Sequence, residues 1–278
     1  PVALAVMLGA DVGTALAALV DLDRYPVGRP DDPGLVATVA AGREALRRDG
    51  TAVFPGFVPA EAVAAMVSEA ERLAVGRHHQ DVRGTPYLAP PDPDRPDGDP
   101  RRHLGRSALT AIPYDAFPAD SPLRAVYEDD DVLRFVAAVL DVGELHRYAD
   151  PLGALNVAAM DEGDELAWHF DQTDFVVSIA LRPSRAGGHF LCAHALRTAD
   201  DERYDDVAAV LAGAAPERVR TLPMEPGTLV LFAGRRSLHA VSPVEGPTSR
   251  LVALLAYDTR PGTDSTPLLK RIRYGREA

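Results

Sequence analysis

The stretch Leu166-Ala-Trp-His-Phe-Asp-Gln-Thr-Asp-Phe-Val-Val-Ser-Ile-Ala-Leu181 places His169 and Asp171 two positions apart, between two apolar segments. Side chains two residues apart on a strand point to the same face of a sheet. The pair can therefore offer two ligands to one metal ion. Two histidines and one carboxylate, with the remaining positions open, form the ligand set typical of a mononuclear Fe(II) site. The stretch predicts a metal-ligand pair between two strands of a β-barrel.

The third ligand is predicted further along the chain. His239 follows the apolar run Thr228-Leu-Val-Leu-Phe232 and a short turn, and Arg250 opens the next apolar run. An arginine at the start of a strand is normally a surface residue. Directed into a barrel beside a metal site, it would instead bind a carboxylate through two of its guanidinium nitrogens. His239 and Arg250 are therefore candidates for the metal site and for an acidic ligand.

The same His-x-Asp pattern also occurs at His79-Gln-Asp81. That pattern lies in the charged, proline-rich segment 77–106, which has no regular hydrophobic period and is predicted to be a long loop. We interpret His79 and Asp81 as solvated loop residues.

The remaining sequence predicts a mainly β domain with flanking helices. From residue 143 to about 260, short apolar runs alternate with turn signals, which favours a jelly roll. Residues 1–142 read as a helix-rich N-terminal part with the loop, 143–260 as a jelly-roll core, and 261–278 as a C-terminal helix or tail, all in one domain. The helices predicted by apolar spacing and end signals are Leu35–Arg48, Pro59–Val75, Asp130–Leu140 and a short insertion near 205–211.

Composition and charge disfavour nucleic acid and membranes as partners. The 278 residues carry 29 Lys and Arg against 41 Asp and Glu, a net charge of −12, which disfavours nucleic acid. A single cysteine, Cys192, fits a reducing cytoplasm and is expected to be a small buried apolar residue. Pro1–Ala10 is apolar but short and lacks a basic residue, so we expect neither a signal peptide nor a membrane anchor. The expected partner is a small-molecule substrate, without a membrane.

Several motifs together resemble a known family. The most specific are the ligand pair with His239 and Arg250. The others are Asp21-Leu-Asp-Arg-Tyr-Pro26, Asp49-Gly-Thr-Ala-Val-Phe-Pro-Gly-Phe57, Ala186-Gly-Gly-His-Phe190, Pro226-Gly-Thr-Leu-Val-Leu-Phe232, Gly234-Arg-Arg-Ser-Leu-His239, Val244-Glu-Gly246, Tyr257-Asp-Thr259 and Tyr274-Gly-Arg276. Together they resemble the iron(II)/2-oxoglutarate-dependent oxygenases, in the branch that contains halogenases and hydroxylases of free amino acids, notably lysine.

The resemblance implies a double-stranded β-helix whose mouth holds Fe(II) on His169, Asp171 and His239. It implies 2-oxoglutarate and O2 as the other cofactors, with the far carboxylate of 2-oxoglutarate on Arg250. The family's halogenases have a small residue in place of the metal carboxylate, so Asp171 favours hydroxylation. Arg106 matches the arginine that holds the substrate carboxylate in the lysine halogenases.

The resemblance also has a gap. Leu152 stands where an acid would meet the lysine side-chain amine, so the resemblance does not establish lysine as the substrate and allows an uncharged or differently polar side chain.

Other site candidates have a structural alternative. Asn156 is a candidate to bond 2-oxoglutarate. Trp168 is a candidate substrate wall or simple packing beside the metal, and Gln172 and Asp174 are candidates for the substrate or the surface. Two further histidines are expected in the core or at its rim rather than on the metal, namely His189 and His194.

The predicted function is oxidation of an unactivated C–H bond of a free amino acid or a derivative, with succinate and CO2 as co-products. Natural-product biosynthesis is the expected setting. The alternatives are oxidative ring closure or desaturation of a lysine-derived amino acid, a metal-dependent isomerase or hydrolase, and a non-catalytic cupin-like binding module.

Overall fold

The computed structural model describes residues 16–278, so the expectation for Pro1–Ala10 lies outside the described residues. The described α-helices are α1 Pro33–Asp49, α2 Ala60–Ala74, α3 Pro122–Glu128, α4 Asp130–Leu140, α5 Tyr204–Leu211 and α6 Pro267–Tyr274. The described strands are β1 Thr51–Phe54, β2 His79–Gly84, β3 Gly105–Ile112, β4 His146–Arg147, β5 Leu155–Met160, β6 Leu166–His169, β7 Val176–Arg182, β8 Ala186–Gly187, β9 Phe190–Ala193, β10 Arg220–Thr221, β11 Leu229–Phe232, β12 Leu238–Val241, β13 Val244–Glu245, β14 Arg250–Leu255 and β15 Tyr257–Asp258.

Eight strands form two antiparallel arrays, in the orders β11-β7-β14-β5 and β6-β12-β9-β10. Along the chain, β5, β7, β11 and β14 fall in the first array and alternate with β6, β9, β10 and β12 of the second, while β8 and β13 pair with each other separately. Strand β3 joins the arrays, because it pairs with β5 and touches β6 at Ser107 and Leu166. This order is that of a jelly roll, which confirms the predicted fold class.

The two faces of β14 separate the core from the barrel interior. Leu251, Ala253 and Leu255 pack with the N-terminal helices in the largest apolar core. Since side chains alternate along a strand, Arg250 and Val252 turn to the opposite face, into the barrel. The helical layer therefore closes the outside of the first array and leaves its inner face for the site.

The outer face of the second array is covered by α5. Phe170 and Leu238 pack there against Val207 and Val210. Because Phe170 points outward from the end of β6, its neighbours His169 and Asp171 point inward.

The predicted loop at 77–106 differs from the structure, because it contains β2 and the start of β3. Strand β2 has the sequence His-Gln-Asp-Val-Arg-Gly and is mostly exposed, so it carries no apolar alternation. It is held instead by its pairing with β3 from His79–Thr110 to Gly84–Gly105. The short helix α3 also had no sequence prediction.

The C-terminal helix predicted within 261–278 is present as α6. The Thr266 side chain accepts a hydrogen bond from the Leu269 amide at its start, and Gly275 ends it at a positive φ of 73°. It packs against β2 and β3. Over residues 16–278, no helix combines the length and the apolar character needed to cross a bilayer.

Candidate active site

Three ligand atoms converge where β6 and β12 pair. His239 on β12 lies opposite His169 at the end of β6, and Asp171 follows two residues later. The Nε2 atom of His169 lies 3.5 Å from Asp171 Oδ1, and that of His239 lies 3.3 Å from Asp171 Oδ2. Across residues 16–278 this is the one group of three or more metal-ligand side chains whose ligand atoms all lie within 4.8 Å of one another.

Backbone carbonyls orient both imidazole rings. The Nδ1 atom of His169 lies 2.8 Å from the Ala167 oxygen, and that of His239 lies 2.9 Å from the Ser237 oxygen. A carbonyl oxygen only accepts, so in the neutral ring each Nδ1 carries the proton. Each Nε2 lone pair is then free for a metal, the arrangement that commonly fixes metal-binding histidines.

The protonation states also suit a divalent cation. Burial lowers the pKa of His239 to about 4, even though the nearby Asp171 opposes that shift. Burial by itself raises the pKa of Asp171, but His239, His169 and Arg273 outweigh burial and bring it to about 2. At neutral pH the site therefore offers a carboxylate and a neutral His239 imidazole, the forms that bind metals.

Two local features fit a metal ion at this position. Asp171 Oδ2 is buried and has no hydrogen-bond partner among residues 16–278. Gly234 accepts a hydrogen bond from the Asp171 amide through its carbonyl, and a Cβ atom at Gly234 would lie 2.0 Å from Asp171 Oδ2. The absent side chain at residue 234 makes room for the carboxylate, and a cation would satisfy its free oxygen.

Arg250 is a second buried group that lacks an anion. It is 5% exposed, and its one hydrogen bond to another described residue runs from Nη1 to the Met160 sulfur at 3.8 Å. Burial lowers its pKa to about 10, so the guanidinium keeps its charge at neutral pH. A carboxylate is the natural partner for such a group.

A cavity of about 270 Å³ reaches Arg250, Gly188 and Phe190. Its lining does not include the three metal-ligand residues. Phe190 contacts both regions, because its ring centroid lies 5.8 Å from that of His239. The cavity and the metal-ligand group are thus two neighbouring parts of the barrel interior.

Asn156 lies on the inner face of β5, opposite Leu254 of β14. Its Oδ1 atom is buried and unpartnered among the described residues. The other predicted substrate residues, unlike Asn156, have partners elsewhere in the structure.

Arg106 is occupied by Asp81. Its Nε and Nη2 atoms donate to the two carboxylate oxygens of Asp81, each at 3.0 Å, and Nη1 donates to the Gly163 oxygen at 2.8 Å. The hydrogen bond from Arg106 also lowers the pKa of Asp81. His79, the partner of Asp81 in the second His-x-Asp pattern, lies 2.9 Å from Asp164 instead.

The residues around the ligand strand also have partners. Trp168 packs with the outward-facing Phe170 cluster, on the side of the sheet opposite the metal-ligand group. Asp174 accepts a 2.5 Å hydrogen bond from Arg235, which also donates to the backbone oxygen of Gln172. The roles of Arg106, Trp168, Gln172 and Asp174 stay predictions.

Sequence reasoning missed three groups near Asp171. Gly234 was part of a quoted motif but had no assigned role. Arg273 of α6 helps to lower the pKa of Asp171, and Asp171 in turn contributes to raising that of Tyr148, for which burial is the main cause. The only sequence signal for Arg273 was its spacing from Lys270 and Tyr274, which places the three on one helix face.

Comparisons with known proteins agree with this geometry. The solved structure of AviO1 from Streptomyces viridochromogenes Tue57 is 22% identical, with a TM-score of 0.54 over 82% of this chain and 97% of that one. HygX from Streptomyces hygroscopicus, solved with nickel and 2-oxoglutarate, is 15% identical, with a TM-score of 0.53 over 80% and 88%. The epimerase SnoN, solved with Fe3+, alpha ketoglutarate and nogalamycin RO, is 18% identical, with a TM-score of 0.53 over 84% and 93%.

These likenesses show a shared fold. The donor set fits the metal ion that the predicted cofactors require, and HygX and SnoN were themselves solved with a metal ion and 2-oxoglutarate. Among curated proteins no match was found. Residues 99–267 match the family model described as Halogenase D. Since that match extends over more than half of the chain, the protein belongs to the halogenase D family.

Proposed function

We propose that the protein hydroxylates an unactivated carbon of a free amino acid or an amino-acid derivative, in natural-product biosynthesis. In the overall reaction, substrate, O2 and 2-oxoglutarate give hydroxylated product, succinate and CO2. The observation that carries this proposal is Asp171, which lies within 3.5 Å of both histidine Nε2 atoms. The family name refers to halogenation, but halide would need the metal position that Asp171 fills.

The chain's own residues divide the work of binding. His169, Asp171 and His239 would hold Fe(II) on one side and leave its other positions open. Arg250 would take the far carboxylate of 2-oxoglutarate, and Asn156 would donate an amide hydrogen bond to the same molecule. When bound, Fe(II) and 2-oxoglutarate supply O2 activation and hydrogen abstraction from carbon.

Apolar side chains would keep water away from the reacting atoms. The ring of Phe232 lies 4.9 Å from that of His239, and Phe190 packs against both. Met160 and Tyr274 belong to the same buried cluster. A dry surrounding strengthens the polar contacts inside and limits side reactions with water.

Anaerobic loading with Fe(II) and 2-oxoglutarate tests the proposal, followed by O2 and each free amino acid in turn, in buffer that contains chloride. Succinate and the product mass are measured. The expected product gains one oxygen atom, and the His239→Ala variant should form neither product nor succinate. A chlorinated product would contradict hydroxylation. A product that has lost two hydrogens would instead indicate ring closure or desaturation.

A further inference from the structure

Helix α6 packs against β2 and β3 and is fixed to the barrel by its own side chains. Two of its residues anchor it. The Lys270 ammonium, 7% exposed, lies 2.7 Å from Asp264 and 3.4 Å from Asp150. Tyr274 is buried in the barrel's apolar cluster. Both anchors lie on one face of the helix, which is therefore turned towards the barrel.

Arg273 shares this face, since residues three and four positions apart on a helix are neighbours. Its Nε atom is fully buried and has no hydrogen-bond partner among residues 16–278. No ion pair formed within those residues includes it. The next residue, Tyr274, belongs to the buried cluster of Phe190 and Phe232, whose rings lie 5.8 Å and 4.9 Å from that of His239. Arg273 is thus a partly buried cation close to the metal-ligand group and lacking an anion.

Several other arginines of this region already have carboxylate partners. The pairs are Arg106 with Asp81, Arg235 with Asp174, Arg260 with Asp258, Arg271 with Glu277 and Arg276 with Asp115. A partly desolvated cation is costly unless an anion joins it. The difference between Arg273 and these pairs indicates that its anion arrives with a ligand.

We propose that Arg273 is the substrate-binding residue that receives the carboxylate of the substrate. This inference rests on the proposed function and deepens it, because it requires an acid in the substrate. Arg250 would hold the far carboxylate of 2-oxoglutarate, so the two guanidinium groups would each take one acid. Arg106, which the sequence resemblance assigned to the substrate, has both carboxylate-facing nitrogens on Asp81.

The test compares Arg273→Gln with Arg271→Gln, a control on the exposed side of the same helix. Fe(II)-loaded protein is kept without O2, and 2-oxoglutarate is titrated through the visible charge-transfer band that it forms with Fe(II). Free L-amino acids are then titrated by calorimetry, and the tightest ligand is compared with its carboxamide. Equal melting temperatures of the two variants would show that the fold is intact.

We expect Arg273→Gln to bind the amino acid about 10- to 100-fold more weakly and 2-oxoglutarate as before, because one charge-assisted contact is lost. The carboxamide should bind both proteins with similar, weak affinity. Arg273→Lys should recover part of the amino-acid affinity, since it restores the charge without the bidentate geometry.

Three results would overturn the inference while the proposed function stands. Equal amino-acid affinity in Arg273→Gln and the control is the first. The second is weakened 2-oxoglutarate binding alone, which would place the cofactor's near carboxylate on Arg273. The third is a larger loss of amino-acid affinity in Arg106→Gln than in Arg273→Gln. If the unmodified holoenzyme binds neither free amino acids nor amino-acid derivatives, the proposed function fails and the inference fails with it.

Discussion

Gly234 leaves room for the Asp171 carboxylate, the proposed metal ligand, because it has no side chain. A Cβ atom there would lie 2.0 Å from Asp171 Oδ2 and 2.9 Å from its Cγ. We expect Gly234→Ala to displace the carboxylate and weaken Co(II) binding, measured by calorimetry, by about tenfold or more. Gly143→Ala is the matched control, because nothing lies within 4 Å of the Cβ it would add. Unchanged Co(II) affinity in Gly234→Ala would contradict this role.

Asp171 is the residue on which the proposed choice of hydroxylation over halogenation rests. Removing its carboxylate in Asp171→Gly leaves two histidine ligands and opens a position for chloride. We expect the hydroxylation rate to fall by about 100-fold or more and any new activity to be weak chlorination. The product mass, measured with and without chloride, distinguishes the two reactions. Asp171→Asn is the control that keeps the volume. Full hydroxylation by Asp171→Gly would contradict the assignment of Asp171 as a metal ligand.

Arg250 gives the same kind of test for 2-oxoglutarate. In Arg250→Leu a buried carboxylate would lose a bidentate, charge-assisted partner, so we expect the half-saturating 2-oxoglutarate concentration to rise about tenfold or more. Metal affinity, measured with Co(II) in place of Fe(II), should stay the same, because Arg250 is not among the proposed metal ligands. An unchanged 2-oxoglutarate requirement would transfer this role to another cation, with Arg235 and Arg236 next to examine.

At the scale of elements, the buried Lys270–Asp150 contact ties α6 to the loop before β5. Hydrogen bonds from Ser265 and the backbone, with the Lys270 charge, outweigh burial and lower the pKa of Asp150. We expect Asp150→Asn to lower the free energy of unfolding at pH 7 by roughly 1–3 kcal/mol, since Lys270 keeps Asp264 as a partner. Denaturant unfolding measures this loss, with Arg271→Gln as the control.

The pH dependence follows from the direction of the Asp150 shift. A carboxyl with a lowered folded-state pKa adds stability above its unfolded pKa of about 3.9, and this stability disappears as the pH falls through the folded value. The difference between the unmodified protein and Asp150→Asn should therefore be full at pH 7 and shrink below pH 4. A difference that grows in acid would contradict the assignment.

The sequence predicts some elements far better than others. The apolar runs that became β5, β7, β11 and β14 are buried on both faces, so their signal depends on composition alone. The polar edge strand β2 has no such signal, because backbone pairing with β3 holds it in place instead of apolar burial. Ligand spacing along β6 likewise predicted His169 and Asp171.

Side-chain partners across the sheet were beyond the sequence. The Arg106–Asp81 pair depends on the β2–β3 register, so its formation could not be read from the Arg106 motif. The position of Arg273 on the barrel-facing side of α6 likewise depends on where that helix docks. The sequence can name arginines that could bind a substrate carboxylate. Which arginine already has a carboxylate partner depends on tertiary contacts.

At the scale of the whole molecule, Cys192 reports on the closure of the barrel. It lies in β9 opposite His239 of β12, and burial raises the pKa of its thiol to about 11. Only the thiolate reacts readily, so a thiol reagent at pH 8 should leave the folded protein unlabelled and label it fully in denaturant. Labelling therefore requires the sheet around the metal-ligand group to open.

This opening couples cofactor binding to stability across the chain. A ligand that binds only the closed barrel stabilises it by mass action. In denaturant below the unfolding midpoint, Co(II) with 2-oxoglutarate should slow Cys192 labelling by about tenfold or more when both are well above their dissociation constants. His239→Ala should lose the effect of Co(II), and Arg250→Leu should lose only the added effect of 2-oxoglutarate. An unchanged labelling rate with both ligands present would mean that β9 opens without disturbing the site, although β12 pairs directly with β9 and carries His239.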